Sequence, residues 1–467
     1  MRHFLRYATA FVAFAFAVSA FGQTTKWRDI YKAKKKDTIF GIARKYEISL
    51  DELKAANPEM KQPDYQLKKG DFVFIPFDAN HPQDGKKSSK KKVAVSAPTE
   101  ETKEAKPTVA KSDVRGRAIN VGVMLPLHDV DGDGRRMVEY YRGILLACDS
   151  LKKAGISTNI RAWNVNIDAD IRQTLLQEGA SDCDIIFGPL YTKQVKPLGD
   201  FCRTYDIKMV IPFSIMGYEV TTNPQIFQVY QSVENLNDKA MKAFLERFGK
   251  YHPIFVDCND TTSRKGNFTL GLRKQLDAKG VQYSITNLKS PDDAFARAFS
   301  RTQPNVVILN TARSPELNTA LARLNKVVAA TPGVSISMFG YTEWLMYTKV
   351  YQDYFHKYDA YIPTTYYYNP LSVSTQRLEQ NYRKWFNRDM QYALPRFAIT
   401  GYDHAQFFLR GLHQYGRDFK GTKAQRVSRP MQTPLYFTQT SEQGGMQNSC
   451  FMLVHYTPKH TIESLNY

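Results

Sequence analysis

The chain has 467 residues, 43% hydrophobic and 23% charged, with a formal net charge of +19 and five cysteines. A balance this basic could serve nucleic acid, but an export signal at the N-terminus argues against that partner and favours anionic wall polymer or a membrane surface, or mere solubility. The cysteines (Cys148, Cys183, Cys202, Cys258 and Cys450) are odd in number and spaced for no metal motif.

In chain order, residues 1–22 read as a signal peptide. Arg2, His3 and Arg6 precede an apolar run from Ala8 to Ala20, too short for a good membrane span. Ala20 and Gly22 stand at the −3 and −1 positions of a cleavage before Gln23, and no cysteine follows to carry a lipoprotein anchor. No later stretch is apolar enough to cross a bilayer, so an exported, soluble protein is expected, periplasmic in location.

Residues 26–77 predict a strand near Ile30 to Ala33, two helices and a closing strand, Phe72 to Pro76. Either Asp37 or Thr38 can cap the first helix. Ile39, Ile42, Ala43 and Tyr46 recur at the spacing of one apolar helical stripe. Ser49 with Glu52 is a capping box for the second helix, and Asn57-Pro58 stops it.

With the phrases Lys36-Asp37-Thr38, Ile42-Ala43, Leu53-Lys54-Ala55-Ala56-Asn57-Pro58 and Leu67-Lys68-Lys69-Gly70-Asp71, this segment resembles a LysM module. The resemblance implies binding of peptidoglycan or a related N-acetylglucosamine glycan in a shallow groove. Carried over by position, that groove uses Asp37, Thr38, Ile39 and Phe40 on one side and Asn57, Pro58 and Met60 on the other. Lys36 stands where the family usually has glycine, so the first loop departs from the common shape. Helix capping and a small core compete for the same residues, and for Ile39 and Leu53 the core is the expected role.

Residues 78–117 are Lys, Glu, Ala, Pro, Ser and Thr with almost no large apolar side chains, including the run Lys86-Lys87-Ser88-Ser89-Lys90-Lys91-Lys92. A disordered tether is expected. At about 5–6 Å × √n, roughly 40 residues reach on the order of 35 Å.

From Ala118 apolar strand-like runs alternate with amphipathic helical patterns, as in Ile119 to Leu125, Tyr140 to Leu151, Asp184 to Pro189, Lys208 to Pro212, Pro253 to Asp257 and Asn305 to Leu309. Such alternation predicts parallel sheets covered by helices. About 300 residues of it predict two lobes. Pro434 to Gln439 and Ser449 to Tyr456 add two strand-like runs around a Gly444-Gly445 turn.

The landmarks Val121 to Leu127, Ile185-Ile186-Phe187-Gly188-Pro189, Val210-Ile211-Pro212-Phe213-Ser214, Asn223 to Val229, Tyr366-Tyr367-Tyr368-Asn369-Pro370 and Ala398 to Asp403 make residues 118–467 resemble the type I periplasmic binding proteins. The expected fold class is therefore α/β, a βααβ LysM module and a disordered linker followed by two parallel-sheet lobes. The resemblance implies a ligand between the lobes at the carboxyl ends of the strands. The cleft set it implies is Pro126, Tyr191, Thr192 and Ser214 facing Asp257, Tyr341, Glu343 and Tyr366, with Leu190 and Tyr191 bulkier than the family's usual small polar residues. The competing account is that these groups only cap helices and the cleft stays empty or occluded.

Asp129, Asp131 and Asp133 before Gly134 match the opening of a calcium loop, but the closing position is Tyr140 rather than glutamate, which favours a solvated loop and no metal. An oxidising compartment permits disulfides, and Cys183 with Cys202 is the expected pair. The nine histidines form no HExxH pair, and neither a Gly-x-Ser-x-Gly elbow nor a P-loop occurs. A non-enzymatic protein without cofactor is expected, binding glycan through the LysM module and a small polar ligand, such as an amino acid or wall fragment, in the lobes. The alternatives are a scaffold or activator of peptidoglycan synthesis acting on an envelope protein partner and, more remotely, a wall hydrolase.

Overall fold

The computed structural model describes residues 29–34, 37–46, 48–57, 60, 67, 71–76, 113–213, 217–425 and 427–467. The signal segment, most of the tether, Pro58 and Ser214 lie outside the described residues. The chain divides into two compact units, within residues 1–104 and 105–467.

The first unit contains β1 (Asp29–Lys32), α1 (Ile39–Lys45), α2 (Leu50–Ala56) and β2 (Phe72–Ile75), with the two strands antiparallel. Thr38, not Asp37, caps α1, its hydroxyl accepting from the Gly41 amide at 3.0 Å. Ser49 and Glu52 form the capping box at α2. Ile42, Ala43, Ile48, Leu53, Met60, Val73 and Ile75 make the core, with Ile39 packed at its edge. A core of this size leaves little stability in reserve, so the contribution of Asn57 matters. Its buried amide donates to the carbonyls of Leu53 and Phe74, both at 2.8 Å, and accepts from the Phe74 amide at 2.7 Å, fastening α2 to β2.

The second unit opens with β3 (Ile119–Leu125), α3 (Gly132–Lys153), β4 (Thr158–Asn164), α4 (Ile171–Leu175), β5 (Ile185–Phe187), α5 (Val195–Thr204), β6 (Lys208–Ile211) and β7 (Ile226–Gln228). There follow α6 (Val233–Arg247), β8 (His252–Asp257), α7 (Gly266–Ala278), β9 (Ser284–Asn287), α8 (Asp292–Ala296), β10 (Asn305–Leu309), α9 (Ser314–Ala330), β11 (Ile336–Phe339), α10 (Thr348–Lys357) and β12 (Ala360–Thr364). The chain ends with α11 (Val373–Phe386), α12 (Phe397–Tyr415), β13 (Phe437–Gln439), β14 (Met446–Asn448), β15 (Met452–Tyr456) and β16 (Ile462–Asn466).

These strands form two sheets, ordered β4-β3-β5-β6-β7-β14-β13 and β9-β8-β10-β11-β12-β15-β16. The first five strands of each are parallel. Side chains alternate across a strand, and β3 uses both faces: Val121, Val123 and Leu125 join the core under α3 and α12, while Met124 joins the one under α5. The chain crosses between the lobes after β7, after β12 and between β14 and β15.

Residues 113–117, assigned to the tether by composition, pack on the first lobe. Val114 is buried in its core, and the Arg117 guanidinium pairs with Asp184 at 2.7 and 2.8 Å. Cys183 and Cys202 do not form the expected disulfide; both are buried thiols in one apolar cluster, where the Cys183 thiol donates to the Gly179 carbonyl at 3.4 Å. Neighbouring positions on a strand end and the following helix did not suffice for a bond whose Cα separation and Cβ directions are both restricted.

Candidate functional site

In the first unit the residues expected to line a glycan groove divide by burial. Asn57 and Met60 are buried in the core, Asn57 because its amide serves α2 and β2, so neither side chain lies on the surface. Asp37 staples its own loop, accepting from the Lys34 amide at 2.7 Å and the Tyr31 hydroxyl at 2.8 Å, bonds that hold its carboxyl below the usual range. Phe40 is 62% exposed on α1, beside the exposed cap Thr38. A large apolar side chain left in water on so small a unit is available to cover an apolar ligand surface.

In the second unit a cavity of about 590 Å³ lies where the three crossovers meet the first lobe. Leu190, Tyr191 and Thr192 enter it from the end of β5, and Pro212 and Phe213 from the end of β6. Asp133, Arg136 and Met137 come from the start of α3, and Phe397, Thr400 and His404 from the start of α12. Val229, Tyr230 and Gln231 of the first crossover, Thr365 and Tyr366 of the second and Asn448 at the third complete the hinge side. Strand order reverses between β4-β3 and β5-β6-β7, and the crevice beyond the carboxyl ends at such a reversal is the usual ligand position in open α/β sheets.

Aromatic packing shapes one wall. Tyr140 meets Phe213 edge to face at 5.2 Å and His404 at 5.6 Å, and Phe213 lies 5.5 Å from Phe397. His404 Nδ1 shares a hydrogen bond of 2.9 Å with the Tyr140 hydroxyl. Burial pushes the imidazole down to about 3, so the ring is neutral at physiological pH. Its Nε2 and the Thr433 hydroxyl are buried with no hydrogen-bond partner among the described residues. Gln231 ties the crossovers together, donating to the Cys450 carbonyl at 2.6 Å and accepting from Lys239.

Of the cleft residues expected from sequence, Tyr191, Thr192 and Tyr366 line this cavity, and Pro126, Asp257, Tyr341 and Glu343 do not. Tyr341 is 5% exposed, its hydroxyl donating to the Leu309 carbonyl inside the second lobe. Glu343 pairs with Lys265 at 2.7 Å. The Asp257 carboxylate accepts from the Asn259 amide and the Asn310 side chain, both at 2.9 Å, and from Asn287 at 3.2 Å. Each acidic group had a local partner that spacing along the chain does not reveal. Burial raises the Tyr191 and Tyr366 hydroxyls to about 12, and both stay neutral donors. Two of the three aspartates of the supposed calcium loop use their carboxylates locally, and Asp129 contributes only its backbone carbonyl. Asp131 caps α3 by accepting from the Gly134 amide at 2.7 Å, Asp133 pairs with Arg136, and the Asp129 carbonyl accepts from Arg135 at 2.8 Å. Among the described residues no group of three acidic, histidine or cysteine side chains could hold a metal ion.

Residues 31–76 match the family model of the LysM domain. This segment is a LysM domain. No curated protein matches the chain. Among solved structures the chain is similar to a candidate branched-chain amino acid ABC transporter from Rhodospirillum rubrum, at 13% identity over 75% of this chain and 100% of that one, with a TM-score of 0.51. That likeness identifies the fold as the bilobal type I periplasmic-binding-protein architecture. The chain is also similar to full-length LpoA from Haemophilus influenzae, at 13% identity over 76% of this chain and 60% of that one, with a TM-score of 0.48.

The LysM domain points to peptidoglycan and to a cell-envelope location. No helix among the described residues is long and apolar enough to cross a membrane. Outside the LysM domain, His404, Thr400, Thr433 and Gln231 are cavity residues that the sequence reading missed. The run Ala398 to Asp403 marked α12 as a fold landmark, and the next residue, His404, carried no signal of its own in the sequence.

Proposed function

We propose that this chain is a non-catalytic, wall-associated envelope protein. Its LysM domain holds peptidoglycan or a related N-acetylglucosamine glycan, and its bilobal domain binds a small molecule at the hinge; no cofactor is assigned. The observation that carries the second half is the cavity of about 590 Å³ at the crossovers, within the range of small-molecule sites. Leu190 and Tyr191 line this space without filling it, which favours a ligand over an occluded scaffold. The excess of Lys and Arg serves anionic wall polymer in this reading, with no role for nucleic acid.

Cosedimentation of the full chain with insoluble peptidoglycan tests the first half. Phe40→Ala is expected to release most of the bound protein while leaving the unfolding midpoint unchanged, and chito-oligosaccharides are expected to compete. Retention of the variant at the wild-type level would remove Phe40 from the glycan contact. Thermal stabilisation by small molecules tests the second half: a ligand at about 100 times its Kd adds roughly 2.7 kcal/mol. Silence toward small molecules, with the wall contact intact, would move the assignment to a scaffold or activator of peptidoglycan synthesis that acts on an envelope protein partner.

A further inference from the structure

The hinge cavity is built for a different charge class from that of a free amino acid. Its walls are dominated by Met137, Leu190, Phe213, Val229, Leu236 and Phe397. Asp133 and Arg136 are the two lining residues among those described that carry formal charge at neutral pH, and they pair with each other while partly exposed. An ionised carboxylate or ammonium placed deeper would lose its water without meeting an opposite charge. The acidic groups that could have answered an ammonium, Asp257 and Glu343, are engaged within the second lobe.

Two neutral polar atoms remain unanswered. His404 is fully buried, and it and Thr433 are lining residues of the cavity; the His404 Nε2 and the Thr433 hydroxyl are buried beneath its surface with no partner among the described residues. Buried polar groups in native proteins are almost always satisfied, so an orphaned pair at a cavity wall marks where a bound molecule supplies the partners. The Tyr140 hydroxyl holds the imidazole from its Nδ1 side, which fixes the ring edge that is offered.

We propose, building on the reading that the cavity is a ligand site, that it takes an uncharged molecule with an aromatic or aliphatic body that hydrogen-bonds His404 Nε2 and the Thr433 hydroxyl. Zwitterionic amino acids are thereby disfavoured. Three probes with one indole body separate the charge classes: indole-3-acetamide is neutral, indole-3-acetate is an anion and tryptophan is a zwitterion. Titration calorimetry on the full chain is expected to show the amide binding at least about tenfold more tightly than either charged probe. In ¹⁵N-histidine spectra the amide is expected to shift the Nε2 resonance of His404. Thr433→Val keeps the side-chain shape, and it is expected to weaken the amide by about tenfold, the loss of one hydrogen bond.

Tighter binding of tryptophan or indole-3-acetate would overturn the charge assignment and leave the cavity a ligand site. Binding of the amide without a His404 shift would overturn the assigned contacts. Absence of binding by all three at millimolar concentration would overturn this inference and weigh against a ligand site altogether. If Thr433→Val fails to fold, the ranking on the unmodified protein and the His404 resonance decide.

Discussion

Replacing Gly143 or Gly401 by alanine sets two effects of opposite sign against each other. Both glycines lie inside helices, where alanine ordinarily gains about 1 kcal/mol. Here α3 and α12 cross at these positions. A Cβ on Gly143 would overlap the Ala398 carbonyl oxygen and sit 2.8 Å from its carbon, and one on Gly401 would overlap the Tyr140 carbonyl oxygen and sit 2.9 Å from its carbon. Backbone cannot rotate aside as a side chain can, so the cost falls at the upper end of overpacking, about 3 kcal/mol. The expected net loss is about 2 kcal/mol for each variant. Because both demand the same separation of the helices, the double variant should lose less than the sum.

The same displacement would move Met137 on one helix and His404 on the other, so ligand affinity at the cavity should fall with stability. Urea unfolding of the full chain, followed by the fluorescence of its four tryptophans, of which Trp163, Trp344 and Trp385 belong to the second unit, measures the loss. Gly266→Ala is the control, since an added Cβ there meets nothing within 4 Å and the position should be neutral or slightly stabilised. Stability of either crossing variant at or above wild type would refute the packing argument.

In the LysM domain, Asn57→Ala withdraws two donors and one acceptor from the join between α2 and β2, and a loss of about 2–3 kcal/mol is expected. Hydrogen exchange at the Phe74 amide should accelerate markedly, and unchanged protection there would contradict the assigned role. His404 should contribute to acid sensitivity. Its folded value is depressed to about 3 from an ordinary 6.5, so the unfolded chain takes up a proton that the folded protein resists, and stability falls as pH drops below 6.5. Between pH 6.5 and 5 this amounts to about 2 kcal/mol. His404→Gln should lose that much less than wild type over the same interval. Asp403, raised to about 6 by burial, acts in the opposite direction but is common to both proteins, so equal losses would show that His404 is not buried as described.

The local plan of both units was legible in the sequence because it rests on short-range physics. The stripe Ile39, Ile42, Ala43 and Tyr46 and the Ser49/Glu52 capping box describe a helix pair before any tertiary contact is known. Likewise, alternating apolar runs from Ile119 onward imply parallel strands under helices, since a strand buried on both faces has few other readings. Tyr191, Thr192 and Tyr366 could be placed at the cavity because strand ends and crossovers follow from that order.

Tertiary structure alone decided the rest. Asp257 and Glu343 were taken up by Asn310 and Lys265, neighbours 53 and 78 positions away in the chain. Asn57 went to the Phe74 backbone, 17 positions on. His404 reached the cavity because Gly143 and Gly401 let α12 lie against α3, bringing its ring to Tyr140 across 264 positions. Helix caps and apolar periodicity are set within a few residues, whereas the partner of a buried polar group is set by which distant backbone the packing brings within about 3 Å.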